Sequence, residues 1–266
     1  MKKSRVISVL LTLVFLVSAI SASSVSAATP DAASGQTKTI TISGKKIEVD
    51  STVSAKELSY LTPDIMSDYD PEGVVVSVSQ TITPMSGDVP TPTTRSTIQL
   101  STISASKMTV TAVCERIVDK GSSYDEFKFS SWATWASKPY ITMTDKLALS
   151  WSGGFSLYSS TCIIWKSGPV SPGSSYGVRS DVVPSAGVAY DIPLEPIGVG
   201  DIGYNYKTKI IAYVYNTNAT GTANLVAKYA HATVLPGISV SLSGAPTISF
   251  SGTYDESVPA YCAWTY

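Results

Sequence analysis

The sequence predicts an all-β protein, an antiparallel β-sandwich with jelly-roll or Greek-key connections. Short segments rich in Ser, Thr, Tyr and Val alternate between apolar and polar residues, and turn-forming residues separate them. Alternation with a period of two is the pattern of a strand that buries one face, and β-branched and aromatic side chains suit such strands. Many short strands with almost no helical periodicity are typical of a sandwich.

The chain begins with the pattern of a secretory signal peptide, predicted at residues 1–27. Basic residues precede an apolar run, and Val25-Ser26-Ala27 is a small-x-small cleavage site. The apolar run is short for a membrane span, and no later run reaches the roughly 18 apolar residues that a spanning helix needs. We therefore expect cleavage after Ala27 and a secreted, extracellular protein without a transmembrane segment.

Charge and composition argue against several classes of function. The full chain has 19 basic and 20 acidic residues, and loss of residues 1–27 would leave 16 basic residues and a formal charge of −4. A nucleic-acid partner is not expected, because phosphate backbones are held by dense Lys and Arg. His231 is the only histidine, so a His-rich zinc site is excluded. No cofactor is predicted.

Residues 28–96 are predicted to be an N-terminal extension or pro-segment that ends in a Pro/Thr-rich connector. The composition of the connector, residues 84–96, resists packing, so the domain boundary is placed there. Ser54 and Glu57 have the spacing of a capping box and predict a short helix. Strands are expected on either side of this helix, at Thr37–Ser43, Lys45–Val49 and Gly73–Thr83.

Residues 97–266 are predicted to form the sandwich, with Tyr124–Trp165 as its central sheet. Lys207–Tyr215 and Thr222–Thr233, joined through Asn216–Gly221, have the pattern of a long hairpin. The other strands are expected at Met108–Cys114, Phe127–Trp135, Tyr140–Thr144, Leu147–Trp151, Leu157–Trp165, Val188–Pro193, Ile238–Leu242, Thr247–Tyr254 and Ala260–Trp264.

Trp132 and Trp135 are the candidate ligand-binding residues. They lie three residues apart, so a regular strand directs them to opposite faces, and one anchors the core while the other lies near the surface. An aromatic ring on the outer face of a secreted sheet suits stacking on sugars. The alternative is that loops cover both rings. His231 is expected to pack beside Tyr229 on a sheet face.

Acidic residues provide two further candidate sites. Glu115 and Asp145 come from different strands and are the candidate pair of catalytic carboxylates, since glycosidases use two. Asp68, Asp70 and Glu72 have the alternating acidic start of a calcium loop. The glutamate that completes an EF-hand loop is missing, so a solvated acidic turn is the favoured interpretation and no metal is predicted.

Three cysteines cannot all pair within one chain, and three pairings are open. Cys114 and Cys162 lie in predicted strands of the same block, so a Cys114–Cys162 disulfide is favoured. Cys262 would then be a buried free thiol. The alternative, that all three are small core residues, is equally consistent with the sequence.

These patterns favour a secreted, non-enzymatic binding or structural module at the cell surface or in the extracellular matrix, with polysaccharide or cell wall as a partner. One alternative is a carbohydrate-active hydrolase that uses the paired carboxylates. Another is a pore-forming toxin, because each arm of the Lys207–Thr233 hairpin approaches the roughly 9–11 residues that cross a bilayer as a tilted strand.

Overall fold

The chain adopts a nearly all-β structure in the computed structural model, which describes residues 36–85, 107–117, 124–139, 141–167, 174–194, 204–218, 220–234 and 237–266. These ranges contain a single short helix, α1 (Ala55–Leu58). The strands are β1 (Thr37–Ile42), β2 (Lys45–Asp50), β3 (Gly73–Pro84), β4 (Lys107–Ile117), β5 (Asp125–Trp135), β6 (Thr144–Trp151), β7 (Ser156–Ser167), β8 (Ser174–Tyr176), β9 (Val178–Val183), β10 (Gly187–Pro193), β11 (Tyr204–Asn216), β12 (Thr222–Ala232), β13 (Ser239–Ser243), β14 (Thr247–Ser251), β15 (Tyr254–Glu256) and β16 (Ala260–Thr265).

Two large sheets form a β-sandwich, which confirms the predicted fold class. Sheet A, as far as the chain is described, has the order β1-β2-β3-β4-β5-β11-β7-β8. Sheet B has the order β15-β12-β6-β10-β9, and β16 pairs with the other half of β12. The pairings are antiparallel except for β2 with β3. The inner faces of both sheets contribute to one apolar core, which includes Phe127, Phe129, Trp151, Leu225 and Trp264.

Two smaller layers cover the outer faces. The segment before β3 packs Ile47, Val49 and Leu61 against Val113 of β4, on the outer face of sheet A. On the outer face of sheet B, the β13–β14 hairpin packs its apolar side chains against small residues such as Ala148. Apolar residues on both faces of the central strands are therefore buried, as burial of a two-sided sheet requires.

Local sequence patterns in the first described segment are confirmed. Ser43 and Gly44 connect β1 to β2 and both have positive φ, 48° and 81°, which a two-residue hairpin turn with the twist of the strands requires. The Ser54 side chain accepts from the Glu57 backbone N–H, while the Glu57 side chain accepts from the Ser54 backbone N–H. This capping box begins α1, as its spacing predicts.

The structure makes β1–β3 part of sheet A, whereas the sequence predicts that they belong to an extension. β3 pairs with β4 from Gly73–Ile117 to Pro84–Lys107, which is nearly the whole length of both strands. The Pro/Thr-rich connector predicts a domain boundary, but a change in composition cannot show whether the strands on its two sides pair. Residues 1–35 and 86–106, with the signal peptide and most of the connector, lie outside the described residues.

The structure corrects the prediction of a hairpin from Lys207 to Thr233. β11 pairs with β5 and β7 in sheet A, while β12 pairs with β6, β15 and β16 in sheet B. The connection between them therefore crosses from one sheet to the other. Both segments alternate and the linker is turn-like, but they bury their apolar residues against the same core from opposite sides. The hairpin proposed for membrane insertion does not form.

The region before β6 also differs from the prediction. Residues 141–143 have no strand conformation, and Asp145 and Lys146, which separate two of the predicted strands, lie within β6. The described part of the chain contains no helix with the length and hydropathy of a membrane-spanning helix.

Removal of residues before 97 tests whether β1–β3 belong to the folding unit. We expect a chain that begins at residue 97 to lose its cooperative unfolding transition, because β4 would become an unpaired edge and Val113 would be exposed. A chain that begins at residue 36 should keep the transition. All five tryptophans follow residue 97, so fluorescence in urea reports on both chains. Equal unfolding midpoints would contradict this assignment.

Candidate functional site

The outer face of sheet A carries the candidate site, and strand parity determines which side chains reach it. On β5, Phe127, Phe129 and Trp135 point into the core, so Lys128 and Trp132 point outward. The prediction that the two tryptophans occupy opposite faces is confirmed. Trp135 contacts Tyr229 and His231 inside the sandwich, where its indole N–H donates to the Tyr229 hydroxyl at 3.2 Å.

Trp132 lies on the outer face but is covered. Its ring stacks on Trp165 of β7 with centroids 5.3 Å apart, and only 4% of its surface is exposed. The ammonium groups of Lys209 and Lys207 lie 4.4 and 5.4 Å from its ring centroid. Lys207 is also paired with Asp64 at 3.1 Å. Neither tryptophan is therefore available for stacking on a ligand at the surface.

A buried ion cluster continues along this face from Trp132. Lys128 of β5 lies 3.0 Å from Glu115 of β4, and its ammonium group donates to the backbone carbonyl of Asp68. The Asp68 carboxylate pairs with Lys209 of β11. The Asp70 backbone N–H donates to Glu115 at 3.3 Å. These contacts hold the chain around residues 68–70 against three neighbouring strands of sheet A.

Burial perturbs the acid–base properties of this cluster. Burial raises the pKa of Glu115, although the adjacent Lys128 acts in the opposite direction. Burial lowers the pKa of Lys209, and its pairing with Asp68 opposes that change. Glu115 and Lys209 are buried, and each lies beside a group of opposite charge. Such pairing is needed because an unpaired buried charge is costly.

Four tyrosines cluster at the far end of the same face and form what we call the tyrosine patch: Tyr124, Tyr158, Tyr213 and Tyr215. The ring centroids of Tyr124 and Tyr215 are 5.7 Å apart, and Tyr158 lies 5.9 Å from Tyr213 and 6.4 Å from Tyr215. Tyr124, Tyr158 and Tyr215 are 45%, 53% and 37% exposed. The Tyr158 hydroxyl donates to the carboxylate of Glu126. This is a contiguous aromatic surface with a carboxylate beside it.

A β-bulge brings Tyr158 into the patch. The pairing of β11 with β7 runs from Tyr213–Ser159 to Val214–Leu157 and skips Tyr158. Leu157 packs against the core, and Ser160 accepts a hydrogen bond from Tyr190 inside the sandwich. The extra residue therefore directs Tyr158 outward beside Tyr213, as bulges commonly redirect a side chain.

Sequence analysis missed the tyrosine patch, although part of its signal was present. Tyr213 and Tyr215 are two residues apart in one strand, so they share a face with each other. Tyr124 and Glu126 share a face in the same way on the neighbouring strand. The face to which Tyr158 points could not be predicted from its own strand, because the bulge that directs it outward exists only in the pairing of β7 with β11.

The proposed catalytic pair is not brought together. Glu115 points away from the core on the outer face of sheet A, whereas Asp145 of β6 points into the core from sheet B. Sheet A therefore lies between the two carboxylates. Asp145 accepts hydrogen bonds from Tyr229 at 2.6 Å and from the Ala232 backbone N–H at 2.9 Å, and its carboxylate lies 3.0 Å from His231 Nδ1.

This interior network is closed to solvent. Asp145 and His231 have no exposed surface, and burial raises the pKa of Asp145 above its usual value despite its hydrogen bonds. Burial also raises the pKa of Tyr229 well above its usual value. His231 lies beside Tyr229, as strand parity predicted. The network is a hydrogen-bonded polar cluster buried in the core.

The acidic stretch before β3 is used for local contacts. Asp68 pairs with Lys209, and the Asp70 carboxylate accepts from the Glu72 backbone N–H at 3.0 Å. Across the residues that the structure describes, no group of three His, Cys, Asp or Glu side chains is arranged to hold a metal ion.

All three cysteines are buried free thiols, and the favoured Cys114–Cys162 disulfide is absent. Cys114 lies on β4 and Cys162 on β7, and the sheet order places β5 and β11 between these strands. With neighbouring strands about 4.8 Å apart, the two residues are far beyond the roughly 4.4–6.8 Å between Cα atoms that a disulfide spans. The arrangement matches the alternative of three core cysteines.

Comparison with known proteins adds no family. No family model matches the chain, and no curated protein matches it. Among solved structures, it is similar to a collagen-binding domain from a Staphylococcus aureus adhesin, with 17% identity over 42% of this chain and 80% of that chain and a TM-score of 0.26. A pore forming protein has 7% identity, 86% and 95% coverage and a TM-score of 0.32. Clostridium perfringens delta-toxin has 9% identity, 88% and 93% coverage and a TM-score of 0.30. Similarity at this level does not indicate a function.

Replacement of Lys128 tests the buried ion cluster. We expect Lys128→Met to lower the free energy of unfolding by about 3–5 kcal/mol, because the Glu115 carboxylate would remain buried without its partner. Lys207→Met is the matched control. Its partner Asp64 has a side chain that is 75% exposed, so the substitution leaves no buried charge unpaired. The expected loss is about 1–2 kcal/mol, from the ion pair and from the contact with the Trp165 ring. Urea unfolding measures the free energy of unfolding of both variants. Similar losses would show that the buried cluster contributes no more to stability than the exposed ion pair.

The thiols provide a separate test. Burial raises the pKa of Cys162 and of Cys262 to about 12, and raises the pKa of Cys114 well above its usual value. Since the thiolate is the reactive form, we expect negligible reaction with a thiol reagent in the native protein at mildly alkaline pH. Denaturation without reductant should release three reactive thiols per chain. Release of one thiol would instead reveal a disulfide.

Proposed function

We propose that this protein is a secreted, non-enzymatic β-sandwich that binds polysaccharide at the cell surface or in the extracellular matrix through the tyrosine patch. The observation that carries the proposal is the contact of Tyr158 with Tyr213 and Tyr215, in a cluster in which Tyr124, Tyr158 and Tyr215 are about half exposed. Tyrosine rings are flat apolar surfaces with a polar end and suit sugar rings, which have apolar C–H faces and hydroxyl edges. Exposed aromatic clusters of this kind are typical of binding surfaces.

The position of the patch also supports binding. Three tyrosines come from the adjacent strands β11 and β7, and Tyr124 directly precedes β5, so the backbone ladder fixes the spacing of the rings. The residue opposite Tyr215 on β5 is Glu126, which accepts from Tyr158. A surface built on paired strands loses little conformational entropy on binding, which favours affinity.

The two alternative functions have weaker support. A hydrolase that uses Glu115 and Asp145 would need both carboxylates in one cleft, about 5–10 Å apart, and they occupy opposite sides of sheet A. A pore-former that inserts the Lys207–Thr233 segment would need a hairpin, and its two arms belong to different sheets. The tyrosine patch needs no rearrangement in order to bind.

Pull-down with insoluble polysaccharides tests the proposal. We expect the protein to sediment with at least one polysaccharide of cell walls or matrices. The double variant Tyr158→Ala/Tyr215→Ala should bind at least about tenfold more weakly, because loss of a stacked aromatic anchor typically costs more than about 1 kcal/mol.

Tyr261→Ala is the matched control for this experiment. Tyr261 lies on β16 of sheet B, is 52% exposed against 53% for Tyr158, and likewise donates to a side chain, that of Asn224. It should leave binding unchanged. Binding that is equally strong in the double variant, or equally weakened in the control, would contradict the assignment of the patch.

A further inference from the structure

We infer that the polysaccharide of the tyrosine patch is an extended, β-1,4-linked chain that runs along β7 to a second contact at Trp165 and Tyr176. This inference rests on the proposed function and specifies its substrate class. The second contact lies towards the other end of the same sheet face and shares no residue with the tyrosine patch.

Strand parity places a second aromatic group on the outer face of sheet A. Cys162 and Ile164 of β7 point into the core, so Ile163 and Trp165 point outward. Tyr176 of β8 lies directly opposite Ile163 in the ladder, and side chains of directly opposite residues share a face. Ile163, Trp165 and Tyr176 therefore belong to one surface.

This second group is accessible to a ligand. Tyr176 is 79% exposed, and Ile163 and Trp165 are partly exposed. One face of the Trp165 indole is covered by Trp132, with ring centroids 5.3 Å apart and planes inclined at 14°. The stacking holds the indole in one orientation, so its exposed part loses little conformational entropy when a ligand binds.

Small hydroxyl side chains lie between the two aromatic groups. Ser159 and Thr161 of β7 are opposite Tyr213 and Ile211 of β11, so they also point outward. Ser159 is exposed and Thr161 is partly exposed. Hydroxyl groups both donate and accept hydrogen bonds. The outer face of β7 is thus aromatic towards both ends and hydroxylated between them.

The connection between β2 and β3 confines this strip to β7 and β8. Its Asp64 and Asp68 pair with Lys207 and Lys209 of β11, the strand beside β7. On β7 itself, the outward side chains from Tyr158 to Trp165 are exposed or partly exposed. At roughly 3.4 Å per residue, this stretch of strand spans about 23 Å. A ligand therefore has a narrow, extended path along one strand.

An extended polysaccharide fits a path of this shape and composition. In β-1,4-linked chains of glucose and related sugars the backbone is extended, and each ring has apolar C–H faces and hydroxyl groups at its edge. The C–H faces suit stacking on Tyr and Trp rings, and the hydroxyl groups can pair with Ser159 and Thr161. A coiled chain would leave the path before it reached the second aromatic group.

Oligosaccharides of two lengths test the inference. The probes are the disaccharide and the hexasaccharide of β-1,4-linked glucose and of β-1,4-linked N-acetylglucosamine, titrated into the purified protein by calorimetry. A disaccharide covers only one of the aromatic groups, whereas an extended hexasaccharide contacts both. We expect the hexasaccharide of at least one sugar to bind at least about tenfold more tightly than its disaccharide.

Variants assign the added affinity to the second contact. Tyr176→Ala removes a largely exposed ring, so the fold should be unaffected. It should weaken hexasaccharide binding about tenfold and leave disaccharide binding unchanged. Thr161→Arg, which places a long side chain across the path, should have the same selective effect. Tyr261→Ala, an exposed tyrosine of sheet B, is the control and should change neither affinity. Tyr158→Ala/Tyr215→Ala should weaken binding of both lengths.

The outcomes separate the two proposals. Equal affinities for the two lengths, no binding of either hexasaccharide, or hexasaccharide binding that is unchanged in Tyr176→Ala would overturn the inference of an extended chain. If Tyr158→Ala/Tyr215→Ala still loses affinity for a polysaccharide in that case, the proposed function stands. If no polysaccharide binding depends on these tyrosines, the proposed function is overturned as well.

Discussion

The structure depends on the packing of aromatic side chains between its two sheets. The ring of Phe129 lies 5.7 Å from Trp151, 5.3 Å from Phe155 and 5.5 Å from Trp264, so sheet A contacts sheet B and the C-terminal strand at one point. Burial of such large side chains is the main favourable term in folding. Because alternate residues of a strand point to opposite faces, this packing also determines what β5 presents outward.

The outer face of β5 therefore carries Lys128, whose charge needs partners where the chain covers it. Lys128 is directed away from the core, yet the chain before β3 covers it. A charge in that position is tolerated because Glu115 and Asp68 surround it, and the same contacts attach the covering segment to the sheet. The covered part of the face is thus structural. The part beyond it, where Tyr158 and Tyr215 lie, remains accessible.

Much of the local structure was predictable from sequence. The turn at Ser43-Gly44, the capping box at Ser54 and the opposite faces of Trp132 and Trp135 follow from interactions within a few residues. Such interactions act in any context that keeps the segment in the same secondary structure. Most strands were found for the same reason, since alternation is a property of a single segment.

Pairing between distant segments was not predictable in this way. The sequence predicts that β3 lies outside the sandwich and that β11 pairs with β12, and both predictions are wrong. A strand pattern shows which face is apolar but does not show which strand lies beside it. Strand patterns likewise do not show that Glu115 and Asp145 lie on opposite sides of sheet A. The separation of Cys114 from Cys162 by two intervening strands is likewise a consequence of strand order.

The sequence by itself determined that this chain forms strands, where they turn, and which residues of each strand share a face. Only the tertiary structure decided which part of the outer face is covered. Trp132 and Tyr215 both point outward from neighbouring strands, but Trp132 is buried and Tyr215 is exposed. The difference arises because exposure depends on contacts with segments far away in the chain, here the residues around Asp64 and Asp68 and the strand that carries Trp165.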